Sequence, residues 1–137
     1  MPTFSLPDNA LAVAAALPDG AASASTAAVD TGARTQWGAG LEDAEVLVTA
    51  PALDASALPD GKAMTYAVEC DDDPDFASPR TVADAVIVQT GAGGAGAAGA
   101  TARVRLPTDC ERYVRCTATG SAAGDASAAS MAMQMLF

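Results

Sequence analysis

The tripeptide Pro-Asp-Gly occurs twice, in Ala16-Leu17-Pro18-Asp19-Gly20 and again in Ala57-Leu58-Pro59-Asp60-Gly61, and it constrains the fold more than any other feature of the sequence. Proline presets φ, the Asp side chain bonds nearby backbone and Gly accepts φ > 0, so each copy is a tight turn with a mechanism. Little else around the two copies matches, which makes them repeated turn chemistry rather than a duplicated domain. Further breaks fall at 37–40, 71–79, 91–99, 107–109 and 120–124. The intervals between them are too short for a long helix and suit strands.

Those intervals repeat with a period of two, the spacing at which alternate side chains share one face of a strand. After the second Pro-Asp-Gly, Met64, Tyr66, Val68 and Cys70 share one face, and Ala63, Thr65, Ala67 and Glu69 the other. Val46 and Val48 alternate with Glu45, Leu47 and Thr49, and Ala102, Val104 and Leu106 alternate with Thr101, Arg103 and Arg105. Met131, Met133, Met135 and Phe137 share a face at the end of the sequence. Residues 111–119 form a strand with Tyr113, Arg115 and Thr117 on one side, and the more continuously apolar 82–90 suits a central strand. Weaker strands at 10–17 and 25–30 bring the total to about eight; Pro7 and Pro18 argue against a helix in the first. The expected fold is therefore all-β, a β-sandwich, with an eight-stranded jelly roll as the natural solution. Residues 1–20 are expected as an N-terminal segment able to act as an extended arm, and 21–137 as a single β-sandwich domain.

With 137 residues there is room for one core, and that core is thin. Half the residues are hydrophobic, but most of that share is Ala, with one Trp, two Tyr and three Phe in the whole chain. Charge is one-sided: 7 Lys+Arg face 17 Asp+Glu, a net −10, and there is no His. Such a charge repels phosphate, so neither nucleic acid nor an anionic membrane is an expected partner. Without His the commonest general base and metal ligand is missing, and no catalytic triad can be assembled. No enzymatic activity, cofactor or metal is expected. The apolar stretch 10–17 is short and Met1 to Asn9 carries no Lys or Arg, so no export signal is expected, and no run is long enough for a membrane span. Cys70, Cys110 and Cys116 read as buried thiols acting as small apolar groups, with a Cys110–Cys116 bridge left open.

Several constellations look like chemistry and have blander readings. Asp71, Asp73 and Asp75 alternate as in a calcium loop, but Phe76 and Val82 stand where such a loop needs Gly and Glu, so this is a solvated acidic turn. Gly91-Ala92-Gly93-Gly94-Ala95-Gly96 satisfies GxGxxG without a following helix, and reads as a flexible loop able to mould against a neighbour. Five of the seven basic residues lie beyond residue 79. Among them Arg103, Arg105, Arg112 and Arg115 suggest either a salt-bridged hairpin surface or a patch that pairs with acidic groups on another subunit. Trp37 is either a core anchor or an exposed contact. These five, Trp37, Arg103, Arg105, Arg112 and Arg115, are the candidate interface residues.

One resemblance runs through these segments. Ser25-Thr26 with Val29-Asp30-Thr31-Gly32, Val46-Leu47-Val48-Thr49 and Leu58-Pro59-Asp60-Gly61 resemble small capsid cement (decoration) proteins of tailed bacteriophages. So do Thr65-Tyr66-Ala67-Val68-Glu69 followed by Asp75-Phe76, and Arg105-Leu106-Pro107 with Arg112-Tyr113-Val114-Arg115. The resemblance covers roughly residues 20–137, and its motifs are structural. It implies a jelly-roll-like body made in the host cytoplasm and bound outside an icosahedral shell. The implied partners are the major capsid protein and further copies of the chain, as a dimer or trimer. The other classes compatible with the residues are a carbohydrate-binding β-sandwich module, which would need exposed aromatics such as Trp37, and a neck or tail component of the virion.

Overall fold

A computed structural model of the chain describes residues 7–31, 44–107, 109–121 and 124–136. Trp37 and Phe137 lie outside the described residues. The described residues form two antiparallel sheets and no helix, so none is long and apolar enough to cross a membrane. In chain order the strands are β1 (Pro7–Ala16), β2 (Ser23–Ser25), β3 (Val29–Asp30), β4 (Glu45–Ala50), β5 (Ala63–Asp71), β6 (Arg80–Thr90), β7 (Ala100–Arg105), β8 (Tyr113–Gly120) and β9 (Ser130–Leu136). One sheet has the order β1-β9-β4-β7, and the other β2-β8-β5-β6 with β3 also on β8. The pairing is nested: β1 with β9, β2 and β3 with β8, β4 with β7, β5 with β6. The chain is a β-sandwich. Its boundary at residue 20 falls between β1 and β2, and β1 is itself a strand of the four-stranded sheet.

Alternation decides which faces meet. Met64, Tyr66, Val68 and Cys70 of β5 are buried against Val46 and Val48 of β4 and Met131, Met133 and Met135 of β9, with Val114, Cys116 and Ala118 of β8 beside them. Unbranched methionine fills irregular gaps, which suits a core whose remaining volume is largely Ala and Val. The widest side chain in this layer, Tyr66, carries a hydroxyl that must be satisfied. It donates to Gln89 Oε1 at 2.7 Å, and Gln89 Nε2 donates to the carbonyls of Pro51 (2.7 Å) and Ala98 (2.9 Å).

Two elements depart from the sequence pattern. The apolar run 82–90 belongs to β6, an edge strand rather than a central one. Its pairing with β5 shifts register between Tyr66 and Val68, and Ala85 has φ 50°. This bulge carries Ile87 and Gln89 inward while Val88 stands 53 % exposed, so an unbroken apolar run here means a change of face and not burial on both. The strand expected at 25–30 is divided into β2 and β3. Between them Thr26 turns inward, its hydroxyl accepting the Cys116 N–H at 3.1 Å where a ladder carbonyl would otherwise do so.

Both Pro-Asp-Gly turns have glycine at positive φ, 66° at Gly20 and 76° at Gly61. The segment 91–99 is not the free loop expected from its composition. The Gly91 N–H donates to Lys62 O, Gly61 N–H to Gly91 O, and Leu53 and Ala97 exchange a pair of backbone bonds at 2.9 and 2.8 Å. Glycine permits that approach: a Cβ on Gly96 would stand 1.9 Å from the Leu53 carbonyl oxygen, at φ +68°. Gly93 has a similar φ of +63° and open space around it. Gly96→Ala is therefore expected to cost about 3 kcal/mol or more, and Gly93→Ala only about 1 kcal/mol, in urea unfolding. Equal losses would show that close backbone approach is not what holds this segment.

Candidate interaction surfaces

Strands that alternate direction send their connections to two ends. At one end gather the β5–β6 turn, the β7–β8 connection and the basic residues nearest them. Arg112 holds Asp30 with two bonds, Nε to Oδ1 at 2.8 Å and Nη2 to Oδ2 at 2.9 Å, and lies over the Tyr113 ring. Arg115 donates from Nε to Glu69 Oε2 at 2.9 Å and stacks 4.1 Å from the centre of the Phe76 ring. Register explains this pair, because Glu69 and Arg115 stand directly opposite on β5 and β8. Arg80 bonds Asp109 Oδ2 (3.1 Å) and Asp109 O (2.8 Å), reaches toward Glu111 Oε1 (3.7 Å) and touches Cys70 Sγ (3.7 Å). The Asp109 hydrogen bond, followed by Cys70, pushes the Arg80 pKa up still further, so this guanidinium stays charged.

The acidic turn is ordered by its own backbone. Asp71, 5 % exposed, accepts Asp73 N–H on Oδ1 (3.0 Å) and Ser78 N–H on Oδ2 (2.8 Å). Those donors, Asp73 first and with Arg115 adding its charge, hold the Asp71 carboxyl below its ordinary 3.8. Asp73 in turn accepts Asp75 N–H at 2.9 Å. Phe76 takes φ 53°, an uncommon conformation for a large side chain, and is held there by the Asp73 carbonyl and the Arg115 guanidinium. Among the described residues no group of three or more Cys, Asp or Glu is placed to hold a metal ion.

Arg103 and Arg105 belong to the other sheet. They sit on β7, facing outward from the four-stranded sheet, with Arg103 Nη1 3.7 Å from Glu45 Oε2 and Arg105 opposite Glu45 in register. The expected hairpin surface does not form, because the chain crosses between sheets after β7: that strand pairs with β4, and β8 with β5. The four candidate arginines are thus split, Arg103 and Arg105 on one sheet, Arg112 and Arg115 on the other. Ion pairs within the chain engage Arg103, Arg112 and Arg115.

The opposite end holds a shallow cleft of about 170 Å³, lined by Leu53, Asp54, Ser56, Asp125, Ala126 and Ala129 among others. Asp54 Oδ1 accepts the Ser56 hydroxyl and the N–H groups of Ser56 and Ala57; Asp125 Oδ1 accepts the Ser127 hydroxyl and N–H. The Ser56 and Ser127 hydroxyls are the largest causes that hold these two carboxyls below their ordinary value. Sequence reasoning missed this pair. Its signal was the repeated tetrapeptide Asp-Ala-Ser-Ala at 54–57 and 125–128. Each copy makes the same side-chain-capped turn, which satisfies the carboxylate locally.

All three cysteines are buried thiols, and no bridge joins Cys110 to Cys116. Burial, then the charge of Glu69, pushes the Cys116 thiol up to about 12. Maleimide labelling of the native protein at neutral pH is expected to modify none of the three, and all three after unfolding. Fast labelling of the folded chain would contradict this packing. The lowered carboxyls at Asp54, Asp71 and Asp125 contribute stability that is complete above the ordinary carboxylate pKa and is lost as pH falls through their folded values. The thermal midpoint should accordingly drop between about pH 5 and pH 2. Asp71→Asn should melt lower at neutral pH and show a shallower drop on acidification; an unchanged pH profile would remove Asp71 from the account.

No family model matches the chain, and no curated protein matches it. Among solved structures it is similar to the arabinosyltransferase EmbB from Mycobacterium smegmatis, at 13% sequence identity and a TM-score of 0.37. That likeness covers 91% of this chain and 12% of the other, and at this level it carries no statement about activity.

Proposed function

We propose that the chain is a non-enzymatic capsid cement protein of a tailed bacteriophage, bound to the outer surface of the shell and joining neighbouring copies of the major capsid protein. The nested pairing of its strands is, in this reading, that of a jelly roll. The observation that supports it is where the family-like segments fall. Ser25, Val29 and Asp30 lie on β2 and β3, Val46 to Thr49 on β4, and Thr65 to Glu69 on β5. Arg105 ends β7, and Tyr113 to Arg115 open β8. The resembling segments are thus the strands and turns of one continuous sandwich, joined in sequence order.

The physical requirements of the role are modest and agree with the molecule. A clamp on a shell needs a stiff body and a repeated contact. A net charge of −10 would repel packaged DNA and suits the outside of the particle. A dimer or trimer gains avidity from the effective concentration of sites on a lattice, so each contact can be weak. A protein that binds only the assembled shell stabilises it by mass action, by about 2.7 kcal/mol per site at one hundred times its Kd.

Heating particles with and without the chain tests this reading. Particles lacking it are expected to release DNA at lower temperature, and adding the purified chain back is expected to restore the difference. Release at the same temperature in both would overturn the proposal.

A further inference from the structure

A strand at the edge of a sheet offers a row of unpaired N–H and C=O groups to any other chain, and such edges are ordinarily blunted by charge, proline, bulges or shortness. Among the described residues the sandwich has four edges, formed by β1 and β7 in one sheet, and by β6 and by β2 with β3 in the other. Three of them are blunted. β2 and β3 are three and two residues long and are separated at Thr26. β6 shifts register twice against β5 and exposes Asp84. β7 carries Arg103 and Arg105.

The edge formed by β1 is the exception. Its own register shift falls before Ala12, and from Ala12 to Ala16 it runs in unbroken register along β9, from Gln134 to Ser130. That stretch, Ala12-Val13-Ala14-Ala15-Ala16, contains no charge and no proline. No described strand pairs with its other side. Alternate residues in it therefore direct N–H and C=O groups outward along the edge. Alanine is the strongest helix former and is depleted in strands, yet four of these five residues are alanines held extended by β9 alone. Ala12, Ala14 and Ala16 are exposed, while Val13 and Ala15 pack against the core and are only partly buried. A second neighbouring strand would satisfy the outward backbone, hold the alanines extended and cover Val13.

We propose that β1 is the edge through which the chain self-associates, and that its occupant is β1 of a second copy, antiparallel across a two-fold axis at Ala14. The two four-stranded sheets then become one sheet of eight. Such an axis sets Val13 of each copy opposite Ala15 of the other, and Ala12 opposite Ala16, so small side chains meet on both faces and the core row continues from one copy into the next. A uniformly small row is complementary to itself, which is what a two-fold contact requires. Charge points the same way: each copy carries a net −10, and repulsion is least where the edge carries no charge. The charges nearest this stretch in sequence are Asp8 and Asp19, both negative, so repulsion opposes the pairing and salt strengthens it. Five residues from each copy make far less than the roughly 800 Å² per partner of a stable complex, so the dimer is weak and depends on concentration. The pairing is independent of the cement function.

Sedimentation equilibrium of the full chain at increasing concentration, in low and high salt, tests it together with cross-linking through the axis. Wild type should pass from monomer to dimer, and at lower concentration when salt is high. Ala14→Glu sets two carboxylates opposite each other and should weaken the dimer about fivefold or more. Val88→Glu, at an exposed position of the edge strand β6, should associate like wild type. Directly opposed antiparallel residues have Cα atoms about 4.5–5.5 Å apart, within the span of a disulfide, so Ala14→Cys should form a covalent dimer on oxidation with diamide and Val88→Cys should not. Position 14 is exposed, so both of its variants should keep the wild-type thermal midpoint. A wild-type chain that stays monomeric up to about 1 mM would overturn the proposal. So would an Ala14→Glu dimer as strong as wild type, an Ala14→Cys variant that does not cross-link, or loss of the dimer only in Val88→Glu.

Discussion

The amide of Gln89 is the junction on which the sandwich depends. It takes the Tyr66 hydroxyl on its oxygen, and on its nitrogen serves the carbonyls of Pro51, just after β4, and Ala98, just before β7. One side chain at 3 % exposure thus ties the core of the five-stranded sheet to two connections of the four-stranded one. A buried amide left unpaired costs about 1–3 kcal/mol for each lost partner, so this network selects a single arrangement of the two sheets. That selection matters more here than in a richer core. Ala, Val and Met can be repacked in many ways, and a fully satisfied polar group cannot.

Around that junction the backbone itself does much of the holding. Segments 51–62 and 91–99 meet residues 120, 121, 124 and 125 at one end, where Gly91, Gly96, Gly120 and Gly124 each stand where a Cβ would strike a neighbouring carbonyl oxygen. A sequence this poor in large side chains can bring connections into direct main-chain contact, and glycine is the residue that allows it. The thin core and the abundance of glycine are two sides of one solution.

The strand alternation was legible in the sequence because period two is a local property. Val46 and Val48, Met64 to Cys70, Ala102 to Leu106 and the methionines of β9 fall on the faces their spacing predicts. What was not legible depends on partners distant in the chain. The bulge at Ala85 imitates a central strand, and Thr26 interrupts β2 and β3 only because Cys116 lies opposite. The glycine run at 91–96 looks free until Leu53 and Asp60 are beside it, where the Asp60 carboxylate accepts the Gly94 N–H. The arginines were found by composition, but their division between two sheets follows from a crossover that no local pattern records. Trp37 lies outside the described residues.

Ion pairs tie strands together on both sheets. Asp30, Glu69 and Asp109 are committed to Arg112, Arg115 and Arg80 at one end, and on the outer face of the four-stranded sheet Arg103 lies 3.7 Å from Glu45. The central claim, a β-body bound outside a shell, is tested most directly by a cryo-electron microscopy reconstruction of the decorated particle. The account predicts density for the sandwich on the outer surface of the shell. Density confined to the neck, the tail or the interior would contradict it.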